Sequence, residues 1–441
     1  MTLPPRRTSF LLALLLPLHS AMSAEPWTIE TAVATALRQS PDVQAARHRI
    51  EACEAMLSQA NSAWQPQVLL SGGYTQTNNA LTALMFTMNQ RNFGPTLNFN
   101  RPGWVDNLEV SGTVVYHLYA GGQPTARRSA AQAGMRATEQ DLRAAQLQLG
   151  AEVVKVMLNL RKARENVTAL EAGLKAYDAS LANSRLRFEA GQVLKADLLS
   201  LEVQTARTRE TLSSARHAAA LAARMFTFVL GGPPSDEPML LADNDAALAV
   251  LAVPAGSDFS QRPELLRLRE RVHMNESLVE AARGGNRPVV NAYVNGQYDK
   301  GWHFGRNGES LQAGLTMELN VFDGGRTSGR VRQAIAELAQ AKDELRKAEL
   351  TLGLEVERAR LAYTDAQELL RVTTDVVAQA EESAALSRAR FEKGVLLTSE
   401  LIGSEGRLIE ARLSRVLAAA DERIALVELR RALGLPAVAQ P

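Results

Sequence analysis

Three short landmarks recur at a single spacing, and this constrains the fold more than any other feature. Arg187-Phe188-Glu189-Ala190-Gly191 returns as Arg390-Phe391-Glu392-Lys393-Gly394, 203 positions later. Tyr119-Ala120-Gly121-Gly122 returns as Phe322-Asp323-Gly324-Gly325, and Leu230-Gly231 as Leu433-Gly434, both at the same offset. A chain built this way is two copies of one structural unit. Earlier in each copy a second offset applies: Ser40-Pro41-Asp42 matches Arg262-Pro263-Glu264 and Gln65-Pro66 matches Arg287-Pro288, each 222 apart. The first copy therefore carries 19 extra residues, assigned to a loop over 78–106.

These landmarks divide the chain. Residues 25–232 form the first repeat, 259–435 the second, 233–258 a connecting segment containing Pro233, Pro234, Pro238 and Pro254, and 436–441 a tail. Within each repeat the pattern reads helix, strand, loop, strand, very long helix, turn, helix. The hairpins fall at 66–119 and 288–322, the long helices at 123–189 and 326–392. At 1.5 Å per residue such a helix reaches roughly 100 Å, so it must pack against others as a tube or bundle. Ala334, Leu338, Ala341, Leu345, Ala348 and Leu352 form a heptad seam. Ala131, Met135, Thr138, Leu142, Ala145 and Leu149 repeat it in the first copy.

The strands have the other period. Leu108, Val110, Gly112, Val114, Tyr116 and Leu118 share one face, against Glu109, Ser111, Thr113 and His117. Leu311, Ala313, Leu315, Met317, Leu319 and Val321 oppose Gln312, Thr316, Glu318 and Asn320. Val290, Ala292, Val294 and Tyr298 oppose Asn291, Asn295 and Gln297, and a weaker strand runs through Val68 to Tyr74. Each has the roughly ten residues of a tilted membrane strand. Tyr74, Trp104, Tyr116, Tyr119, Tyr298 and Trp302 lie at or near strand ends, where an interfacial girdle sits. Four strands cannot close a barrel, and lipid tolerates no open strand edge, so several protomers must share one wall.

The N-terminus reads as a secretory signal peptide over 1–24: Arg6 and Arg7, an apolar stretch from Phe10 to Leu18, then small residues. The single cysteine, Cys53, can form no internal disulfide and reads as a small buried side chain. The balance of 49 basic and 48 acidic residues argues against nucleic acid as a partner.

Phosphate-loop, nucleophile-elbow and His-Glu-x-x-His patterns are absent from the sequence. His48, His117, His217, His273 and His303 show no metal-ligand spacing, so no enzyme, cofactor or metal is expected. Met85 and Met88, near Phe86 and Phe93, read as loop packing at a barrel mouth rather than a copper site. A soluble periplasmic coiled-coil protein remains as the alternative; it accounts for the signal and the helices but not for four amphipathic strands.

Two copies of helix, hairpin, long helix, turn and helix, with Gly-Gly opening the long helix and Arg-Phe-Glu-x-Gly closing it, resemble the TolC family of outer-membrane efflux proteins. The resemblance covers Trp27 to Leu435. It implies a homotrimer in the outer membrane of a Gram-negative bacterium, sharing a twelve-stranded barrel that an α-helical tunnel continues through the periplasm. It also implies a passive duct for drugs, metal ions or polypeptides. A periplasmic adaptor and a proton- or ATP-driven inner-membrane pump would be its partners.

The resemblance assigns adaptor docking to the tip turns, Arg187, Phe188 and Gly191 with Arg390, Phe391 and Gly394. The two glycines also suit a left-handed helix end, with the phenylalanines anchoring the turn. Gly121, Gly122, Gly324 and Gly325 mark the strand-to-helix joints. Asp197 and Glu400, six positions after each tip glycine, occupy the place of the family's periplasmic gate. The family often has a second acidic residue three positions on in the second repeat; here Gly403 stands there, with Ser200 in the first. A carboxylate at a helix N-terminus also gains roughly 0.3–1 kcal/mol from the helix dipole, which needs no gate.

Overall fold

A computed structural model describes residues 26–94, 98, 100–233, 240–242, 256 and 258–437. The signal peptide at 1–24, most of the connecting segment and the last four residues of the tail lie outside the described residues. The first repeat contains α1 (Ile29–Gln39), α2 (Pro41–Ser62), β1 (Gln67–Thr77), α3 (Ala80–Asn89), β2 (Val105–Ala120), α4 (Gln123–Glu189) and α5 (Lys195–Val229). The second contains α6 (Pro263–Arg283), β3 (Val289–Gly301), β4 (Arg306–Glu318), α7 (Arg326–Glu392) and α8 (Thr398–Ala432).

Three elements differ from the reading of the sequence, one being β4, which starts at Arg306 and ends at Glu318 and so leaves Leu319, Asn320 and Val321 beyond the strand. Proline at position 41 starts a new helix, so the first repeat opens with two helices; Ser40, in an extended conformation, separates them. The supposed loop 78–106 contains α3, whose N-cap Asn79 accepts from the amides of Leu81 and Thr82, both at 3.1 Å.

The sheet runs β1-β2-β3-β4, antiparallel throughout. Its central pair joins the two repeats, with a bulge between His117 and Tyr119. The outer strands β1 and β4 each keep one edge unpaired by other described strands. Val68 and Leu70 of β1 and Leu311, Leu315 and Met317 of β4 are exposed along one face. Hydrogen bonds between polar side chains line the other: Ser71 with Ser111 at 2.7 Å, Asn295 to Thr113 at 2.7 Å and His117 with Asn291 at 2.6 Å. Among the described residues no helix is long and apolar enough to cross a membrane. The apolar face of the sheet is the surface that lipid can cover.

Below the sheet, α4 and α7 each run 67 residues, and α5 and α8 return along them over 35 residues each. The seam on α7 lies as the heptads suggest, with Ala334, Ala341 and Leu352 buried. On α4 the buried stripe is Ala130, Ala133 and Ala137, shifted from the expected Ala131, Met135 and Thr138. The reason is that two helices share that surface. Cys53 of α2 contacts Thr138 at 3.3 Å, while Met274 of α6 lies over Gly134. Cys53 is correspondingly half-buried and hydrogen-bonded rather than fully enclosed.

The main core is midway along the helices, where Ile29, Ala32 and Ala36 of α1 meet Val153, Met157 and Leu160 of α4, with Phe226 and Val427. Arg262, at the head of α6, is fully buried there beside a second cluster. It donates to Glu264 and Glu355, each at 2.8 Å, and to the carbonyl of Ala432 at 3.1 Å. Arg431 extends the network to Glu355 and Glu428, and Lys155 of α4 reaches Glu428 at 2.7 Å. A guanidinium this deep is tolerable because its donors are paired.

Candidate functional site: the tip turns and the strand-to-helix joints

At the far end from the sheet, both long helices finish in the same way. Gly191 and Gly394 adopt φ of 71° and 77°. The glycine amides return to Phe188 and Phe391, each at 2.9 Å. The next amides, of Gln192 and Val395, reach back to Arg187 and Arg390 at 2.8 and 3.1 Å. Paired bonds of this kind satisfy the orphan carbonyls of a helix end.

The side chains then break the symmetry. Arg187 of the first turn crosses to the second, donating to the carbonyls of Phe391, at 2.8 Å, and Glu392, with its guanidinium 5.4 Å from the Phe391 ring centre. Phe391 is 3% exposed beneath it, whereas Phe188 is 38% exposed and Arg390 lies in solvent. Phe391 thus anchors its turn, and Phe188 does not within this chain. It joins Leu186, Leu194, Val395 and Leu397 in an exposed apolar group around both turns.

Asp197 and Glu400 lie in the first turns of α5 and α8, the former half-buried and the latter exposed. Behind them is a ladder of ion pairs that the sequence reading missed. Arg185–Glu202 and Arg388–Glu405 span the two turns at equivalent places, and Arg209–Asp178 (2.6 Å) and Arg412–Glu381 (2.7 Å) form the next rung. The signal was available: these pairs also obey the 203-residue offset. Burial differs within the first rung, since the Glu202 side chain is 37% exposed and that of Glu405 only 1%. Tyr177 packs alongside, donating to the carbonyl of Ile402 at 3.1 Å, and burial pushes its phenol up to about 12. A cavity of about 390 Å³ between α4, α7 and α8 is lined by Lys175, Asn183, Arg388, Glu405 and Arg412.

The joints between sheet and helices use consecutive left-handed glycines, at φ 64° and 80° for Gly121 and Gly122 and 68° and 86° for Gly324 and Gly325. Only the first joint is crowded: a Cβ on Gly121 would sit 2.5 Å from the carbonyl oxygen of Gly284. In the second, Asp323 accepts from the Gly325 and Thr327 amides at 3.1 and 2.8 Å. The Thr327 hydroxyl above all, and then these amides, hold its carboxyl below the usual carboxylate range.

A sheet with one lipid-compatible face, set on helices of roughly 100 Å and ending in a charged tip, has the parts of a membrane duct. The profile of the outer membrane efflux protein family matches residues 32–232 and 259–435, which take in both repeats. The chain belongs to that family. It is an outer-membrane channel of the tripartite efflux and secretion systems, extending into the periplasm.

Among curated proteins it is similar to protein CyaE of Bordetella pertussis, 26% identical over 91% of this chain and 83% of that one. It is also similar to the proteases secretion protein PrtF of Dickeya chrysanthemi, 22% identical over 92% and 88%. Among solved structures it resembles the Campylobacter jejuni CmeC outer membrane channel. The TM-score is 0.78 at 15% identity, covering 98% of this chain and 93% of that one. This likeness extends to the fold: long helices carrying a four-stranded sheet in each protomer.

Proposed function

We propose that three copies of this chain close one twelve-stranded barrel and one helical tunnel, forming a passive duct with no catalytic role of its own. The observation that carries this reading is the sheet, whose two outer strands offer 11- and 13-residue edges for a neighbour's strands. In lipid those edges need partners, and a neighbouring copy supplies both at once.

The tip turns dock a periplasmic adaptor, through which an inner-membrane pump loads cargo and supplies energy. Support comes from the exposed apolar group at Leu186, Phe188, Leu194, Val395 and Leu397, which would otherwise remain wet at the end of a water-filled tube. Arg187, Gly191, Phe391 and Gly394 shape and hold that surface, Arg390 projects from it into solvent for the adaptor, and Asp197 and Glu400 line the closing point of the tunnel. Cargo choice then rests with the adaptor and pump.

The test is a photoreactive residue at Val395, exposed in cells of the native host, with mass spectrometry of what it captures. Capture of a periplasmic adaptor is expected. A heat-sensitive outer-membrane oligomer that captures no such protein would overturn the docking assignment.

A further inference from the structure

The helix α3, inside the long β1–β2 connection, leans over the polar face of the sheet. Gln90, fully buried just past its end, donates to the carbonyl of Asp106 at 2.7 Å and to Asn107 Oδ1 at 2.9 Å. Asn107 in turn donates to Asp299 at 2.6 Å. By strand alternation Asn107 and Asp299 share the face of Ser111, Thr113, Asn295 and Gln297, the face that lipid cannot cover.

Two glycines on that face make room. A Cβ on Gly301 would fall 2.1 Å from Gln90 Oε1, and one on Gly308 at 1.9 Å from the Asn89 carbonyl oxygen. Phe86 lines a cleft of about 260 Å³ with Ser71, Gly73, Thr75, Asn107 and Glu109, so it overlies the same face. Arg91 reaches the Glu309 carbonyl at 3.0 Å. The connection therefore crosses the sheet from one unpaired edge strand, β1, to the other, β4, on the side that becomes the lumen.

The helix presents two faces of different kinds. Ala83, Thr87 and Gln90 are buried toward the sheet. On the opposite side Leu81, Met85 and Met88 are 68%, 56% and 54% exposed, spaced four and three apart like a helix-packing stripe. This stripe points away from the barrel wall, toward the axis.

We propose that α3 forms an inward-folded plug at the outer mouth of the duct, its Leu81, Met85 and Met88 stripe packing against the stripes of neighbouring copies in an apolar constriction. The proposal rests on the shared-barrel reading, and the same edges that join copies bring these helices together. Size supports it. Twelve strands about 4.8 Å apart and tilted about 40° enclose a radius of about 12 Å, while a helix with its side chains is about 10–12 Å across. Three helices held against that wall leave no wide opening between them. An apolar ring there resists ions by dewetting and yields when cargo arrives.

The test uses the full chain in outer membranes with Cys53 replaced by Ser. Unheated gel mobility reports the oligomer. Within that oligomer, Met85→Cys is treated with a short bis-maleimide, and single-channel conductance is compared for the parent and a Leu81→Ser, Met85→Ser, Met88→Ser variant. Expected are copy-to-copy crosslinks at position 85 and a conductance rise of about two-fold or more in the serine variant. An intact oligomer with no crosslink and unchanged conductance overturns the plug while leaving the duct. Absence of any oligomer overturns the shared barrel and the plug together.

Discussion

Arg187 of the first tip turn donates to the main-chain carbonyl of Phe391 in the second at 2.8 Å, across 204 residues of chain. The repeat-related Arg390 remains exposed. The two turns are copies in sequence, yet one clamps the other. Any separation of the two turns within a protomer would require release of this contact.

Arg187→Ala should therefore loosen the second turn. Faster amide hydrogen exchange at Gly394 and Val395 is expected, with a cost of about 1 kcal/mol, below the roughly 1.5–3 kcal/mol of a buried bond to a charged group because the site is partly wet. Arg390→Ala should change exchange little. Equal effects from the two variants would mean that the clamp carries no special weight.

The ion-pair ladder allows a comparison between repeats. Removing Glu405, 1% exposed, should destabilise the helical region by about 1–3 kcal/mol. Removing the equivalent Glu202, 37% exposed, should cost less than about 1 kcal/mol. Thermal melting of Glu405→Ala and Glu202→Ala oligomers checks this, and indistinguishable midpoints would refute it.

The fold was readable because its signals are local. Period two along β2 to β4, heptads along α7 and the Gly-Gly and Arg-Phe-Glu-x-Gly punctuation each act over a few residues, and duplication made each visible twice. Contacts that join distant segments were not readable in the same way. Nothing near Arg187 shows that its guanidinium will seat on Phe391, or that Phe188 will be left exposed. The shift of the α4 stripe to Ala130, Ala133 and Ala137 depends on α2 and α6 arriving together. The helix α3 had a local signal, Asn79 before an apolar stretch, but lay between Asn-rich and Gly-Pro segments that read as loop.

Acid should weaken the midsection. Burial acts to raise the Glu264 carboxyl, but its hydrogen bonds from Arg262 outweigh this and hold it below 4.5. Burial likewise opposes Glu428, where bonds from Lys155 and Arg431 prevail. Because both folded-state values are depressed, their stabilisation is full above the unfolded value of about 4.5 and is lost as pH falls through the lower folded value. Melting temperature should hold steady from neutral pH to about 5 and drop below it, less steeply in Glu264→Gln. A variant with the parent's slope would remove this group from the account.

At the joints, Gly324→Ala should cost about 1–2 kcal/mol, the penalty for a left-handed alanine in open space. Gly121→Ala adds a clash, since its Cβ would meet the Gly284 carbonyl oxygen at 2.5 Å and Arg287 at 3.0 Å. The measurement is the yield of heat-sensitive oligomer in outer membranes: near normal for Gly324→Ala, strongly reduced for Gly121→Ala. Equal yields would show that backbone φ alone matters at this position.

Glu400 offers the sharpest test of the closing point. It stands exposed in the first turn of α8, and three residues on Gly403 has no side chain to extend a second acidic ring. In the proposed gate, repeated around the axis, Glu400 would supply the negative charge of the second repeat, while the repeat-related Asp197 of α5 is half-buried. A carboxylate that merely favours its helix dipole would contribute stability and no selectivity. Glu400→Gln separates the two roles in single-channel recordings. Reduced cation preference and weaker block by divalent ions are expected if the side chain faces the lumen. An unchanged preference and block, with a small fall in melting temperature, would assign Glu400 to the helix end and leave the gate to other residues.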